Sequence, residues 1–152
     1  MTDIVVRVID CHIVYLGENE PKFLMLKRSQ QKIYPGIWQC VTGKIKPREK
    51  PIETAIRELT EETGLSPVNT WTVDQVNNFY ESKADRMNLI PIFGVEVDSL
   101  IVKLSDEHCD YKWCGLDEAI SLFTWTQQKN GLLAFHEMLT SQAEKLSLLK
   151  NN

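Results

Sequence analysis

The stretch GKIKPREKPIETAIRELTEETGL, residues 43–65, carries the clearest structural pattern in the chain. Ile52, Ala55, Ile56 and Leu59 fall at positions i, i+3, i+4 and i+7, which is the spacing of one apolar helix face. We therefore predict an amphipathic helix in the second half of this stretch.

Residues at both ends of the predicted helix set its limits. Pro51 suits a first helical turn, where its missing N–H would have no partner in any case. Gly64 stands where a left-handed C-cap is favoured, and Leu65 can make the hydrophobic contact that accompanies such a cap. The pattern predicts a helix over residues 51–63.

The polar side of this helix is acidic. Glu58 lies three residues before Glu61 and four before Glu62, so the three carboxylates converge within one turn and repel one another. One explanation is a solvated acidic face on which Glu53 pairs with Arg57. The other is a hard divalent cation, since Mg²⁺ takes carboxylate oxygens and completes its shell with water and substrate phosphates. The helix macrodipole disfavours negative charge near the C-terminus, which favours the cation.

The whole segment resembles the signature of the Nudix hydrolases, enzymes that cleave nucleoside diphosphates linked to a further group. The matching positions are Gly43, Glu49, Arg57, Glu58, Leu59, Glu61, Glu62, Gly64 and Leu65. The resemblance implies an α/β/α sandwich with a mixed β-sheet, in which the segment forms a catalytic loop-helix-loop. It also implies Mg²⁺ as the cofactor, with Mn²⁺ as an alternative.

The resemblance gives each polar position of the signature a role. The implied metal ligands within the signature are the Gly43 carbonyl and the carboxylates of Glu58, Glu61 and Glu62. The alternative role for Glu61 is that of a base rather than a metal ligand. Glu49 would orient the metal-bound groups, and Arg57 would hold the glutamates in place through hydrogen bonds.

A narrower similarity spans most of residues 24–140 and is to the bacterial subgroup that acts on dihydroneopterin triphosphate and dATP. It rests on the runs WQCVTG at 38–43 and EHCDYKW at 107–113, and more weakly on the pair TW at 124–125. In that subgroup a glutamate beyond the signature helix completes the metal site, and Glu107 is the matching residue. The alternative for Glu107 is an ordinary carboxylate on a surface loop.

Six residues are candidates for contact with a substrate: Arg28, Trp38, Thr42, Phe79, Tyr80 and Thr124. The subgroup resemblance implies that Arg28 contacts phosphate, and Lys27 should face the opposite side of the strand. The alternative for Arg28 is an ordinary exposed cation at the end of a strand. The three aromatic residues could stack on a base or pterin ring, although aromatic residues in strands more often belong to the core. Both threonines match substrate-contacting positions in the subgroup.

The loop before the helix departs from the family pattern. Thr42 stands where the family commonly has a second glycine, and Pro47 and Arg48 replace a flexible stretch, which brings the placement of Glu49 into question. Four cations alternate through this loop: Lys44, Lys46, Arg48 and Lys50. On one side of an extended segment they would hold the distal phosphates of a substrate. Otherwise they only offset the neighbouring glutamates.

Length and charge limit the classes of function. With 152 residues, the chain is predicted to form a single domain over residues 1–152. A net charge of −4 argues against broad nucleic-acid binding and favours a small substrate, which the resemblance implies is nucleotide-like. The sequence has no leader pattern and no apolar stretch of membrane-spanning length, so we predict a cytoplasmic location without membrane association. It indicates no particular oligomeric state.

The four cysteines lack the spacing of a zinc finger, and they are too few for a disulfide scaffold. His108 and Cys109, followed by Cys114, are the alternative zinc ligands. We interpret all four cysteines, including Cys11 and Cys40, as reduced packing residues.

Strands and helices alternate in the remainder of the chain. Extended segments are predicted at residues 4–16, 23–28, 38–42, 71–80, 89–97 and 111–114, with a turn at 17–21. Helical spacing appears at 116–123 and 132–149. This mixture predicts an α/β/α sandwich with a mixed sheet, as does the resemblance.

Together these observations predict metal-assisted hydrolysis of a phosphoanhydride, with Glu61 or Glu107 removing the proton of the attacking water. The subgroup resemblance implies that a triphosphate yields a monophosphate and pyrophosphate. A dinucleoside polyphosphate or nucleotide-sugar hydrolase is the alternative enzyme. A non-catalytic nucleotide-binding domain is the alternative class, although binding alone would not need the complete glutamate set.

Overall fold

Eight strands form one mixed sheet with helices on both of its faces, as the computed structural model describes for residues 1–152. The strands are β1 (Asp3–Val5), β2 (Val8–Tyr15), β3 (Lys22–Arg28), β4 (Trp38–Gln39), β5 (Val41–Lys44), β6 (Asn69–Glu81), β7 (Arg86–Val97) and β8 (His108–Cys114). The helices are α1 (Pro51–Thr63), α2 (Leu116–Leu122), α3 (Thr126–Ser141) and α4 (Ala143–Leu148). The predicted α/β/α sandwich is confirmed.

Strand β7 lies next to β6, which forms one edge of the sheet. It pairs antiparallel with β6 on one edge and parallel with both β1 and β2 on the other. The predicted single extended segment at 4–16 is therefore two strands. The pairing register shifts by one residue between Ile4, opposite Met87, and Asp10, opposite Ile92, so the ladder is interrupted at residues 6–7.

Strands β2 and β3 separate soon after they meet. They pair only where Val14 and Tyr15 lie opposite Phe23 and Lys22. The segment 38–44 fills the space between them, with β4 bonded to β3 and β5 bonded to β2. The predicted single strand at 38–42 is thus wrong in one respect, because the chain changes its pairing partner at Cys40.

Two hydrophobic cores lie on opposite faces of the sheet. Alternate residues of β2, including Ile9 and Cys11, pack with Ala55 and Leu59 of α1 on one face. The other face packs against α2 and α3 through the cluster Val14, Phe23, Met25, Cys40, Trp71, Val73, Ile92, Cys114, Ala119, Phe123, Leu132, Phe135 and Met138. Because both faces are covered, residues 9–14 of β2 are all buried.

Helix α1 begins and ends where the sequence predicts. Lys50 N–H, just before the helix, donates to Glu53 Oε1 at 2.8 Å and so satisfies one free backbone donor. Gly64 adopts a left-handed φ of 73°, and its N–H donates to the Thr60 carbonyl. The solvated-face alternative, in which Glu53 pairs with Arg57, is not seen, because Glu53 caps the helix instead.

The C-terminal helices differ from the prediction in their limits. Helix α2 agrees to within one residue, but α3 starts six residues before the predicted position and ends at Ser141. Its first turn is held by a long-range contact, in which the side-chain amide of Gln127 accepts from Asn78 N–H and donates to Asn78 C=O. Apolar periodicity gives no indication of such a polar contact.

Three of the cysteines are buried and Cys109 is exposed, so the packing interpretation is wrong for Cys109. Cys109 and His108 are neighbours in β8 and face opposite sides of the strand, which does not favour a shared zinc site. None of the helices combines the length and the apolar character needed to cross a bilayer.

A substitution at Gly94 of β7 would test how closely α3 packs on the sheet. A Cβ atom at Gly94 would lie 2.3 Å from two ring atoms of Phe135, whose side chain is completely buried. We expect Gly94→Ala to lower the free energy of unfolding by about 1 to 3 kcal/mol, measured in urea. Gly115→Ala is the control, since nothing lies within 4 Å of its Cβ position. Equal stabilities for the two variants would contradict this packing.

Candidate functional site

The acidic residues of α1 face the point where β5 leaves the sheet. Glu58 and Glu62 are 9% and 2% exposed, although both carry a carboxyl group. The Glu58 side chain lies directly on Gly43, and a Cβ atom at that position would be 2.2 Å from Glu58 Cγ. Only glycine leaves room there for the carboxylate.

Arg57 connects the loop before the helix to the acidic cluster. Its guanidinium binds both carboxylate oxygens of Glu49, with Nε donating to Oε2 at 2.7 Å and Nη2 donating to Oε1 at 2.9 Å. Nη1 donates to Glu58 Oε1 at 2.7 Å and to Glu61 Oε2 at 3.2 Å, and Nη2 reaches the Lys44 carbonyl at 3.0 Å. One cation therefore fixes the directions of several carboxylates.

Glu49 is held firmly despite the unusual loop. Besides Arg57, it accepts from Thr54 Oγ1 at 2.6 Å and from Lys46 N–H at 3.1 Å. Arg57 foremost, and Thr54 next, hold the pKa of Glu49 well below its usual range. Pro47 and Arg48 form a turn in which Arg48 has a left-handed φ of 68°.

This turn changes the interpretation of the four loop cations. Strand β5 ends at Lys44, so the extended geometry that would align the cations up to Lys50 is absent. A shallow hollow nevertheless lies here, lined by Val6, Arg7, Lys44, Ile45, Lys46, Pro47, Arg48 and Glu49. Arg7 therefore joins three of the predicted cations around one concave surface.

Glu62 is buried without a compensating cation. Neither carboxylate oxygen of Glu62 has a hydrogen-bond partner. One oxygen each from Glu62 and Glu107 and one ring nitrogen of His108 lie within 4.8 Å of one another. Burial foremost, and then the Glu107 and Glu58 carboxyls, raise the pKa of Glu62 to about 10. Glu107 therefore lies beside the signature helix in space, as the resemblance implies.

The loop that carries Glu107 is fastened to β3. Ser29 N–H donates to the Glu107 carbonyl at 2.9 Å, and Ser29 Oγ donates to the Asp106 carbonyl at 2.7 Å. On the helix side, Lys103 N–H donates to the carbonyl of Thr63, the last residue of α1. No local sequence feature indicates this role for Ser29, since these bonds join residues far apart in the chain.

This donor set fits a divalent cation. Buried carboxyl groups converge here, and neither oxygen of Glu62 has a hydrogen-bond partner within the protein. Buried polar groups are normally paired, so a positively charged group is the partner that this arrangement lacks. Carboxylate oxygens are the ligands preferred by Mg²⁺ and Mn²⁺. Glu61 differs from the others, because 54% of its side chain is exposed and its hydrogen bond is to Arg57.

The six predicted substrate contacts occupy different environments. Arg28 Nε donates to the Ile33 carbonyl at 2.7 Å, and the Lys27 ammonium lies 6.0 Å from the Trp38 ring centre. Phe79 and Tyr80 are 46% and 50% exposed, so the core alternative is wrong for both. Trp38 packs against the core between the sheet and helices α2 and α3, which agrees with the alternative that this residue belongs to the core.

The two threonines lie apart from these aromatic residues. Thr42 lies in β5 directly opposite Asp10 of β2. Thr124 is exposed and follows Phe123, just before α3. Neither threonine side chain makes a hydrogen bond within the protein, so both hydroxyl groups are available to a ligand.

A buried polar cluster beside Thr42 was not predicted. Asp10 accepts from Asn77 Nδ2 at 2.9 Å and from Gln128 Nε2 at 3.4 Å, which joins β2, β6 and α3. Burial raises the pKa of Asp10 to about 6, although both amide contacts work against that increase. The sequence feature that could have indicated this cluster is the single aspartate within the apolar strand β2.

Comparisons with known proteins agree with this geometry. The chain matches the model of the NUDIX domain over residues 7–135. It is 31% identical over 125 residues to the asymmetrical bis(5'-nucleosyl)-tetraphosphatase of Rattus norvegicus, covering 79% of this chain and 82% of that protein. It is 29% identical over 139 residues to the dihydroneopterin triphosphate diphosphatase of Haemophilus influenzae, covering 84% of each.

The fold also has close counterparts among solved structures. An Ap4A hydrolase from C. elegans, solved as a binary complex, superimposes with a TM-score of 0.74. The alignment covers 89% of this chain and 98% of that chain, at 23% identity. It supports the arrangement of sheet and helices described above.

Asp10 should make stability depend on pH. The folded state raises its pKa from 3.8 to about 6, so its contribution to stability is fully present below pH 3.8 and is lost as the pH rises through about 6. Asp10→Asn removes this titration. From pH 4 to pH 8 the variant should gain about 2 to 3 kcal/mol relative to the parent, measured by urea unfolding.

Asp98→Asn serves as the control, because Asp98 is exposed at the surface. A pH-independent difference between Asp10→Asn and the parent would mean that Asp10 titrates at its ordinary value.

Proposed function

Because the chain belongs to the Nudix hydrolase family, we propose that it cleaves a phosphoanhydride bond of a nucleotide-like substrate at the cluster formed by Glu58, Glu62 and Glu107. The observation that carries this proposal is the buried Glu62 carboxyl group, whose oxygens have no partner and which lies beside Glu107. A non-catalytic binding domain is the alternative, but binding alone would not need the complete glutamate set.

The proposed cofactor is Mg²⁺, with Mn²⁺ as the alternative. Glu58, Glu62 and Glu107 would hold it, with Glu61 and the Gly43 carbonyl as further ligands. When bound, such a cation supplies charge compensation for phosphate oxygens and lowers the pKa of a coordinated water. Its charge also compensates the repulsion between the carboxylates that the protein alone leaves unbalanced.

The residues around the cluster have positioning roles in this proposal. Arg57 fixes the orientation of Glu58, and Glu49 fixes Arg57 from the other side. Gly43 keeps the space that the Glu58 side chain occupies. Glu107 or Glu61 takes the proton of the attacking water, and the exposure of Glu61 makes it accessible to solvent.

We also propose that residues 1–152 act as one domain, since both cores share one sheet. The cytoplasmic location stays a prediction. The substrate contacts proposed for Arg28, Trp38, Thr42, Phe79, Tyr80 and Thr124 are likewise proposals. The two exposed aromatic residues, Phe79 and Tyr80, are best suited to stack on a ring.

Two substrate classes have support. A nucleoside or dihydroneopterin triphosphate is favoured by the similarity to the Haemophilus influenzae diphosphatase. A dinucleoside tetraphosphate is favoured by the similarity to the Rattus norvegicus tetraphosphatase. The hollow lined by Arg7, Lys44, Lys46 and Arg48 offers positive charge for a chain of phosphates in either class.

Glu62→Gln tests the acidic cluster. Removing one carboxylate charge should lower kcat by about 10² to 10³ at saturating Mg²⁺. The fold should be kept, because burial and the neighbouring carboxyl groups raise the pKa of Glu62 and so favour its uncharged form when no cation is bound, and glutamine has a similar shape. Thermal unfolding should therefore match the parent without Mg²⁺ and show a smaller stabilisation with it.

Glu144→Gln is the matched control, because Glu144 is exposed on α4, outside the cluster. It should keep the turnover and the Mg²⁺ response of the parent. Turnover of Glu62→Gln within threefold of the parent would remove Glu62 from the site.

The inorganic product separates the two substrate classes. Triphosphate substrates should release pyrophosphate, whereas asymmetric cleavage of a dinucleoside tetraphosphate yields only two nucleotides. Chromatography of reactions with dATP, dihydroneopterin triphosphate and Ap4A would give the kcat/KM for each. Orthophosphate as the first product from a triphosphate would contradict the triphosphate proposal, and failure on every substrate would contradict hydrolysis itself.

A further inference from the structure

His108 is a buried side chain that the proposed hydrolysis does not yet use. It begins β8 directly after Glu107, and only 3% of its surface is exposed. Its Nε2 atom lies 3.0 Å from the side-chain amide nitrogen of Gln39 on β4. Its Nδ1 atom is buried with no partner. A buried imidazole nitrogen without a partner loses its hydration without compensation, so a missing ligand is indicated.

The surroundings of His108 indicate what that ligand is. One ring nitrogen lies within 4.8 Å of a carboxylate oxygen of Glu62 and of Glu107. Because Nε2 is taken up by Gln39, Nδ1 is the nitrogen left for this group. Three ligands of one small cation, each at about 2.1 Å, lie about 3.0 to 3.6 Å apart when the angles between them are 90 to 120°. Binding would therefore draw the three donor atoms closer together, and the Glu107 side chain is the exposed member of the group.

We propose that His108 Nδ1 is a ligand of a divalent cation shared with Glu62 and Glu107, and that this nitrogen makes the position favour a transition metal over Mg²⁺. The proposal rests on the acidic cluster of the proposed function. It adds one nitrogen donor to a set of oxygens. Imidazole suits Zn²⁺ and binds Co²⁺ more strongly than Mn²⁺, whereas Mg²⁺ prefers oxygen ligands almost exclusively.

Gln39 has a positioning role in this arrangement. A metal on Nδ1 requires the proton of the neutral ring to be on Nε2. A half-turn of the Gln39 amide, which exchanges its nearly isosteric N and O atoms, presents the oxygen to accept that proton. Gln39 is 4% exposed and held in β4 against β3, so it fixes the ring plane.

Electron spin-echo envelope modulation of Mn²⁺ added to the full-length protein tests this ligand directly. Nitrogen-14 coupling should appear in the parent and disappear in His108→Gln. Isothermal titration should show Mn²⁺ and Co²⁺ binding weakened tenfold or more by His108→Gln, with Mg²⁺ binding changed less than threefold. His136→Gln is the control, because His136 lies on α3 outside this group.

Two Gln39 variants extend the test to the ring orientation. Gln39→Glu should keep the nitrogen coupling and bind Mn²⁺ at least as tightly, because a carboxylate accepts the Nε2 proton strongly. Gln39→Leu should weaken Mn²⁺ binding by about tenfold. Equal Mn²⁺ affinity in both variants would remove Gln39 from this role.

The outcomes separate this inference from the proposed function. Bound Mn²⁺ without nitrogen coupling in the parent, together with normal hydrolysis, would overturn the His108 ligand and leave the hydrolase standing. Persistence of the coupling in His108→Gln would also overturn it. Absence of any divalent binding would contradict the acidic cluster of the proposed function as well.

Discussion

The burial of two carboxyl groups on one side of α1 is the constraint around which the site is arranged. Glu58 and Glu62 are one helical turn apart and both face the sheet, where water cannot screen them. The protein balances only the first of them, through the Arg57 guanidinium. The second has no cation within the chain to pair with. An incomplete balance of this kind costs folding free energy, and it keeps a position ready for an external positive charge.

The split in the sheet supplies what the helix alone lacks. If β2 and β3 paired along their whole length, the segment 38–44 would have no edge to join. Because they separate, β4 brings Gln39 towards His108, and β5 brings Gly43 beneath Glu58. The same divergence lets β8, on the far edge of β3, present Glu107 and His108. Three strands and one helix therefore contribute to a site that is continuous only in space.

Local features of the sequence predicted α1 and most of the strands. Proline at the first position of α1 and glycine just after its end act within one turn, so residue patterns are enough to locate them. The glutamates of the signature could be placed on one helix side for the same reason. The resemblance implies a role for Glu107, which stays a proposal, and the structure brings this residue beside Glu62.

The features that were missed depend on contacts between distant residues. The start of α3 depends on Gln127 meeting Asn78, and the change of partner at Cys40 depends on the divergence of β2 and β3. Asp10 gave no indication of its partners, because Asn77 and Gln128 lie on other elements. His108 was considered only with its cysteine neighbours, although its side chain faces the carboxylates on the opposite side of the strand.

The segment 103–107 connects α1 to β3 through only two backbone hydrogen bonds, at Lys103 and at Glu107. Its length determines how far the Glu107 carboxylate stands from the helix. Surface loops generally tolerate insertions and deletions during evolution. This short segment should be an exception, because one added or deleted residue would move Glu107 by about 3 Å. Insertions and deletions among related chains should therefore accumulate elsewhere, for example in the exposed residues 17–20 between β2 and β3.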